Sequence, residues 1–350
     1  MTKMGTRTVA SLATALVLVL DGCTGADVGG RAPEDARAFF TGKTMTYIVA
    51  TEPGGGYDTY GRLVSKYLGK HLGLNHVVVK NVAGGSHLLG TNQIYTARPD
   101  GLTLGTFNAG LIYAQLLRRD GLHADLKRMS WVGKAGDEPR FFTVSKRSGF
   151  RSFDDVRRAG RPLLLGANGV GNEGYYDTLL LARALGLQVK LVFGLPTRDA
   201  QLSMMRGEID GEIGSASSHR QFVRNGYGHT VLRVGHGEDA DAQIPDANDL
   251  VTTAEGKALV ALVRAQSTLM RWTAGPPAIP DDRLAVLRDG YMAALRDPAL
   301  IAEARKFDIP IVPMDGATLA KEVERALAQS PEALALIASA VGIPFQTAGR

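Results

Sequence analysis

The chain has 350 residues, of which 45% are hydrophobic and 21% charged. This composition excludes a disordered chain, and the length predicts one large α/β domain or two smaller ones. The net charge of +5 comes from 40 Lys and Arg without a basic block, so nucleic-acid binding is not expected. Cys23 is the only cysteine, and the seven histidines form no HExxH or other metal-ligand pattern. We therefore expect no disulfide, no metal and no cofactor.

Residues 1–22 have the pattern of an export signal. A basic start is followed by the uncharged apolar stretch 9–20, which is too short to span a bilayer. The sequence Leu20-Asp21-Gly22-Cys23 then resembles a bacterial lipobox, in which the cysteine is lipidated, although Asp21 departs from that pattern. We expect lipidation of Cys23, with an ordinary signal peptide and an incidental cysteine as the alternative. Residues 23–41 are expected to form a tether.

Beyond residue 41, short β-rich runs alternate with longer helical ones, which predicts parallel, helix-covered sheets in two α/β lobes. Ser152 and Asp155 are spaced as a helix capping box, and a helix is predicted from near 280 to 297. We expect one lobe at 42–143 and 249–350 and the other at 144–248, with crossings near 141–147 and 230–250. The predicted strands are 44–50, 76–81, 102–107, 141–146, 162–168, 190–194 and 230–235, and the predicted helices are 58–72, 86–96, 173–185 and 198–206.

Three glycine-containing loops, at 51–58, 82–87 and 166–174, each follow a strand and precede a helix. A helix N-terminus offers unpaired backbone N–H groups and a positive dipole end, so carboxylates and phosphates are the ligands that fit there. The alternative is that these loops are only tight turns. The candidate ligand-binding residues are Glu52, Gly54, Gly55, Gly56, Tyr57, Asp58, Gly84, Gly85, Ser86, His87, Asn108, Asn168, Gly169, Gly171, Asn172 and Glu173.

The third loop contains a literal GxGxxG at 169–174, which raises a dinucleotide-binding enzyme as an alternative. Such an enzyme needs an acidic residue at the end of the next strand to hold a ribose. Asp199 lies too far along the chain to match well, and no nucleophile signature is readable elsewhere. We therefore expect a binding protein and not an enzyme.

Six segments together resemble the extracytoplasmic solute-binding proteins of tripartite tricarboxylate transporters. They are the strand, Pro-Gly-Gly-Gly, Asp and helix at 48–63, the strand and glycine loop from 77, Arg-Pro-Asp-Gly at 98–101, the loop at 166–171, Gly-Glu-Ile-Asp at 207–210, and the helical region 276–298. The resemblance covers nearly all of the mature chain. Glu52 before the triple glycine, and Asn168, Asn172 and Glu173 in the third loop, depart from the pattern.

This resemblance implies a two-lobed, periplasmic-binding-protein-like architecture that closes on its ligand like a flytrap. It also implies an organic anion held largely by backbone N–H groups of the loops at 54–58, 84–87 and 169–173, often with ordered waters. We therefore expect a monomeric, periplasm-facing and lipid-anchored receptor that delivers a small carboxylate-bearing solute to a two-component membrane permease. An exported sensor domain that uses the same cleft is the alternative. Because it precedes the glycine cradle, Glu52 is expected to face the cleft and to contact an ammonium or hydroxyl group of the ligand. The alternative is that Glu52 turns to solvent or pairs with a nearby base.

Overall fold

The computed structural model describes residues 33–237 and 241–343. The expected export signal, Cys23 and residues 24–32 of the expected tether lie outside the described residues. Within those two ranges, no helix combines the length and the apolar composition that a membrane crossing requires.

The described residues form helices and strands in the alternating order that the sequence predicts. The strands are β1 (Thr44–Val49), β2 (His76–Asn81), β3 (Thr103–Thr106), β4 (Ser130–Lys134), β5 (Arg140–Ser145), β6 (Leu163–Gly166), β7 (Val189–Val192), β8 (Gly211–Ser215), β9 (Gly228–Val234), β10 (Trp272–Gly275) and β11 (Met314–Asp315). The helices are α1 (Pro33–Phe40), α2 (Gly56–Leu72), α3 (Leu88–Tyr95), α4 (Leu111–Leu116), α5 (Phe153–Arg157), α6 (Glu173–Leu185), α7 (Thr197–Arg206), α8 (Ala216–Arg224), α9 (Ala247–Leu250), α10 (Ala254–Ser267), α11 (Asp281–Arg296), α12 (Pro298–Lys306), α13 (Gly316–Leu327) and α14 (Pro331–Ala340).

The first sheet has the strand order β11-β4-β10-β3-β1-β2. β1 pairs in parallel with β2 and β3 because α2 and α3 form the crossovers between them, whereas β10 pairs antiparallel with β3 and β4. Tyr47 of β1 packs with Leu68 of α2 and Leu287 of α11 in one core. Trp131 and Trp272 pack in a second core of the same lobe. The sheet is thus buried by apolar side chains on both faces.

The second sheet has the strand order β7-β6-β8-β5-β9. β6 pairs in parallel with β7 and β8, and β5 runs antiparallel to β8 and β9. Its core includes Val144 of β5, Leu165 of β6, Leu180 of α6 and Val260 of α10. The two sheets and their helices form the two lobes.

The chain crosses between the lobes at positions that differ from the expected ones. Residues 135–139 connect β4 to β5, a few residues before the expected crossing at 141–147. The return comes after α10, where the chain enters β10, and not at 230–250. α10 and α14 were expected in the first lobe, but Val263 and Ile337 are buried in the core of the second sheet. Their apolar faces cover that sheet, which the local sequence pattern does not reveal.

α1 replaces the last part of the expected tether. Ala36 and Phe40 are fully buried and belong to the core that contains Leu287 and Tyr291. Residues 33–40 are therefore part of the folded first lobe, because the apolar face of this short helix packs onto α11.

Several predicted elements agree closely with the structure. β2 and α6 have the predicted bounds, and Ser152 and Asp155 form the predicted capping box at the start of α5. Leu287, Tyr291 and Leu295 are buried on one face of α11, and Leu284 is partly buried against the same core. β4, β8 and β10 were not predicted, since they are short, glycine-containing and largely buried, and so lack an alternating pattern.

Candidate ligand-binding site

A cavity of about 130 Å³ is lined by residues from both lobes. Its walls follow the carboxyl ends of β1, β3, β6, β7 and β8, where ligands of open α/β sheets bind. The first lobe contributes 51–57, His87 and Asn108, the second contributes 166–168, 172–174, 196–198, 212–215 and Ser218, and Arg140 and Arg271 lie where the chain crosses between the lobes.

The N-terminus of α2 forms part of the first-lobe wall. Gly55 is its N-cap and supplies no side-chain hydrogen bond, so the first N–H groups of the helix keep their donor capacity. Gly54 has φ +88°, a conformation that glycine adopts without strain, and its N–H donates to Asp58 Oδ2 at 2.9 Å. A side chain at Gly56 would collide with the Arg271 guanidinium, because a Cβ there would lie 2.6 Å from Nη2. The glycines therefore shape the loop and admit Arg271.

The second lobe presents the N-termini of α6 and α7. Asn172 caps α6 by accepting a hydrogen bond from the Tyr175 N–H at 2.8 Å. α7 begins after Pro196, which supplies no side-chain cap, and Thr197 and Arg198 line the cavity. α7 was not among the elements expected at the site, although it begins after a parallel strand of the same sheet, as α6 does. That shared topology was the signal available in the sequence.

A hydrogen-bonded group of four side chains joins the lobes beside the cavity. The Tyr57 hydroxyl on α2 donates to Glu173 Oε2 on α6 at 3.1 Å and accepts from the Ala109 N–H at 3.3 Å. Arg140 donates to Glu173 Oε1 at 2.9 Å, and its Nε lies 2.6 Å from Asp177 Oδ2. Burial and the Glu173 carboxylate hold the pKa of Tyr57 well above its ordinary value, so the phenol remains a donor.

Arg271 forms a second buried ion pair where the chain crosses between the lobes. Its Nη2 donates to Glu138 Oε1 at 3.1 Å and to the Ser215 hydroxyl at 2.9 Å. The guanidinium also lies over the Tyr57 ring, 4.3 Å from the centroid. Arg271 has φ +57°, a strained conformation for a residue with a side chain, which the surrounding contacts hold in place.

Three buried polar side chains in the cavity wall have no hydrogen-bond partner within the described part of the chain. The atoms without a partner are Nδ1 of His87, both amide atoms of Asn108 and Oε2 of Glu212. Burial lowers the pKa of His87 to about 3 and raises that of Glu212 to about 8, so both are uncharged near pH 7. Because buried polar groups are normally hydrogen-bonded, these atoms are candidates for contact with a bound molecule.

The structure brings most of the candidate residues to the cavity. Those in its lining are Glu52, Gly54, Gly55, Gly56, Tyr57, His87, Asn108, Asn168, Asn172 and Glu173. The candidates outside the lining are Asp58, Gly84, Gly85, Ser86, Gly169 and Gly171. Arg140, Glu212 and Arg271 also line the cavity and were not among the candidates.

The candidates outside the lining have structural contacts instead. The Asp58 carboxylate accepts hydrogen bonds from the Gly54 N–H, Arg62 and Asn81, so it holds its own loop together. A Cβ at Gly169 would lie 2.7 Å from the Ser86 hydroxyl, so these two loops approach each other beside the cavity.

The dinucleotide alternative does not fit the second sheet. β7 ends at Val192, and Asp199 lies on α7, exposed to solvent. No carboxylate therefore stands at the end of this strand to hold a ribose. Among the described residues, no three His, Cys, Asp or Glu side chains lie close enough to hold a metal ion.

No protein-family model matches the chain. Two curated relatives are UPF0065 proteins. The chain is 24% identical over 311 residues to one from Agrobacterium vitis, a match that covers 88% of this chain and 87% of that protein. It is 25% identical over 188 residues to one from Pseudomonas sp. strain P51, a match that spans 53% of this chain and only 56% of the relative.

Solved structures of binding proteins share the fold. The periplasmic binding protein BugD matches with a TM-score of 0.70 at 18% identity, over 87% of this chain and 99% of that one. MatC of Rhodopseudomonas palustris, solved with bound malate, matches with a TM-score of 0.69 at 19% identity, over 84% of this chain and 99% of that one. A TctC solute-binding protein from Polaromonas matches with a TM-score of 0.61 at 17% identity, over 85% of this chain and 98% of that one. These similar proteins are binding proteins and not enzymes. The chain therefore has the two-lobed fold of periplasmic solute-binding proteins, and its resemblance to the receptors of tripartite tricarboxylate transporters is confirmed.

Proposed function

We propose that the protein is an exported receptor that captures a small carboxylate-bearing organic solute between its lobes and delivers it to a two-component membrane permease. The observation that carries this proposal is the meeting of three helix N-termini, those of α2, α6 and α7, at one cavity. Their first N–H groups have no partner within the helix, and their dipoles favour a negative charge. A carboxylate has the charge and the acceptor oxygens that such a wall requires.

The charges of the side chains in the cavity wall support backbone recognition of the anion. Arg140 and Arg271 are both buried, and each is already paired with a carboxylate of the protein. Arg198, at the first turn of α7, is exposed and lines the cavity. The helix N-termini and Arg198 are therefore the groups that would attract an anionic solute. MatC, which shares this fold, was solved with malate, a small organic acid, and this supports the proposed ligand class.

A panel of mono-, di- and tricarboxylates tests the receptor proposal by thermal shift. A ligand that binds only the folded state stabilises it by RT ln(1 + [L]/Kd), about 2.7 kcal/mol at a hundredfold excess over Kd. We expect at least one acid to raise the Tm and to reduce the radius of gyration in small-angle scattering. Tight binding of NAD in place of any acid would contradict the proposal.

The proposed location is the periplasm, with the mature chain anchored through a lipidated Cys23. Acyl chains contribute roughly 0.8 kcal/mol per buried CH₂, so several chains anchor a protein firmly. Expression of the wild type and the Cys23→Ser variant in a bacterial host, followed by fractionation, tests the anchor. We expect the wild type in the membrane fraction and the variant in the soluble periplasmic fraction. Equal solubility of the two would contradict lipidation and leave the receptor proposal intact.

A further inference from the structure

Buried carboxyls outnumber buried guanidiniums around the inner end of the cavity. The carboxyls are Glu138, Glu173, Asp177 and Glu212, and the guanidiniums are those of Arg140 and Arg271. Each of the six residues is less than 9% exposed. If all six groups were charged, the negative charges would therefore exceed the positive charges by two.

Both guanidiniums are fully engaged by other carboxylates. Arg140 lies 2.9 Å from Glu173 and 2.6 Å from Asp177, and Arg271 lies 3.1 Å from Glu138. Among the described residues, neither forms an ion pair with Glu212. A buried charge without a partner is costly, so the imbalance has to be relieved in another way.

Glu212 is the acid without a charged partner. It lies on β8, lines the cavity and is 7% exposed, and its Oε2 accepts no hydrogen bond within residues 33–237 and 241–343. The base beside it is His219 of α8, whose Nε2 is 3.7 Å from Oε2. Burial lowers the pKa of His219 to about 3, so this imidazole is neutral and supplies no charge. Glu212 thus lines the cavity and has no charged partner, with its Oε2 buried on the His219 side.

Burial favours the protonated form of the excess acid. Burial raises the pKa of Glu212 to about 8 and that of Asp177 to about 7. β5, α6, α7 and α8 pack against β8 and carry charged groups. Those that line the cavity are Arg140, Glu173 and Arg198, while Asp177 pairs with Arg140 and Arg220 of α8 pairs with Asp241. Arg183, Asp199, Arg206 and Arg224 of the same helices lie outside the lining. Across the cavity stand Arg271 and the neutral side chains of Tyr57 and His87. Among these groups, Arg140 favours the charged form of Glu212, and burial outweighs it.

We propose that Glu212 binds a cationic nitrogen of the ligand, an ammonium group carried on the same molecule as the carboxylate that the helix N-termini hold. This inference rests on the proposed receptor function and assigns the ligand to a class, the small amino acids and related zwitterions. On binding, the Glu212 carboxyl gives up its proton to solvent and its carboxylate accepts hydrogen bonds from the ammonium. A second ligand carboxylate at this position would find no free cation, since Arg140 and Arg271 are already paired with protein carboxylates.

The test compares acids that differ only by an amino group. The probes are butanoate against 4-aminobutanoate and succinate against aspartate, titrated calorimetrically into the wild type, Glu212→Gln and Glu324→Gln. Glu324 is exposed on α13, outside the cavity lining, so its variant controls for the loss of an acid elsewhere. We expect an amino compound to bind the wild type and Glu324→Gln about ten- to a hundredfold more tightly than its partner acid. Glu212→Gln should lose most of that preference.

Proton release provides a second readout that requires no variant. Titrations at pH 7 in buffers of different ionisation enthalpy should show release of nearly one proton when the amino compound binds the wild type, and none when the plain acid binds. Equal affinity for both members of each pair, or an amino preference that persists in Glu212→Gln, would overturn the role of Glu212 and leave a carboxylate receptor. Failure of every acid and amino acid to bind would overturn the receptor function itself.

Discussion

The Tyr57 hydroxyl donates a hydrogen bond to Glu173 Oε2 at 3.1 Å and thereby joins α2 of the first lobe to α6 of the second. The same carboxylate accepts from Arg140, which stands on β5 just after the chain has crossed between the lobes. Both residues line the cavity, so the contact that connects the lobes is also part of the wall that a ligand would touch. We therefore expect a ligand that contacts Glu173 to affect the contact between the lobes.

Substitution Tyr57→Phe should loosen the contact between the lobes. Loss of the hydroxyl leaves Glu173 and the Ala109 N–H each without one buried partner, which costs about 1 to 3 kcal/mol of unfolding free energy. We also expect a larger radius of gyration for the ligand-free variant in small-angle scattering. Tyr67→Phe is the matched control, since the Tyr67 hydroxyl on the same helix donates to Glu303 within the first lobe. An equal expansion of both variants would contradict a role specific to Tyr57.

Breaking the Arg271–Glu138 ion pair should destabilise the protein strongly. Arg271→Met leaves Glu138 buried without its guanidinium, and removal of one member of a buried pair costs about 3 to 5 kcal/mol. The double variant Arg271→Met with Glu138→Leu should recover part of that loss, because no buried charge remains unpaired. Urea unfolding of the single and double variants measures the coupling. Simple additivity of the two single effects would show that the residues do not act as a pair.

The N–H groups of α7 can be tested without disturbing the helix. Thr197 is the first helical residue, where proline is well tolerated, and Pro196 has the extended conformation that a following proline requires. Thr197→Pro removes a backbone donor, whereas Thr197→Ala removes only the hydroxyl. If that N–H contacts the carboxylate, Thr197→Pro should weaken acid binding by about 1.5 to 3 kcal/mol relative to Thr197→Ala. Equal affinity of the two variants would exclude this N–H from the binding contacts.

The raised pKa of Glu212 predicts a pH-dependent stability. Folded Glu212 holds its proton up to about pH 8, whereas unfolded glutamate loses it near the ordinary value of 4.5. Because the folded state binds more protons between these values, its unfolding free energy should fall as the pH rises from about 4.5 to 8. Glu212→Gln lacks this proton, so its stability relative to the wild type should increase over the same range. Urea midpoints at pH 5, 7 and 9 measure the difference, and a constant difference would contradict burial of the acid.

Substitution Glu52→Gln tests the residue before the triple glycine. Glu52 is exposed at the mouth of the cavity. If it contacts an ammonium or hydroxyl of the ligand, the variant should bind that ligand about 1.5 to 3 kcal/mol more weakly, the range for a hydrogen bond to a charged group. A simple dicarboxylate should bind the variant equally or better. Unchanged calorimetric affinity for every ligand would remove Glu52 from the site.

The sequence predicted those elements whose signals are local. α6 has an Asn172 cap at its start and Gly186, in the left-handed conformation, at its end, and both bounds were read correctly. The glycine loops after β1 and β6 likewise brought Gly54 and Asn168 to the cavity, because their position after parallel strands is visible in the chain order. The order of strands and loops along the chain therefore predicts which of these loops lie at the cavity.

The charged part of the site depends on contacts between distant residues. Arg140 and Glu173 are 33 positions apart, and Arg271 and Glu138 are 133 apart, so no local spacing links them. Glu212 lies on β8, a strand that was not predicted. Burial, and not residue type, distinguishes these five ionisable side chains from the many exposed ones, and burial becomes known only with the fold.

The most direct test of the receptor function is a crystal structure of the protein with the acid that gives the largest thermal shift. We predict that the carboxylate lies in the cavity between the lobes, with its oxygens about 3 Å from backbone N–H groups at the starts of α2 and α6 or α7. An acid bound elsewhere on the surface, or held in the cavity without any contact to these N–H groups, would contradict the account.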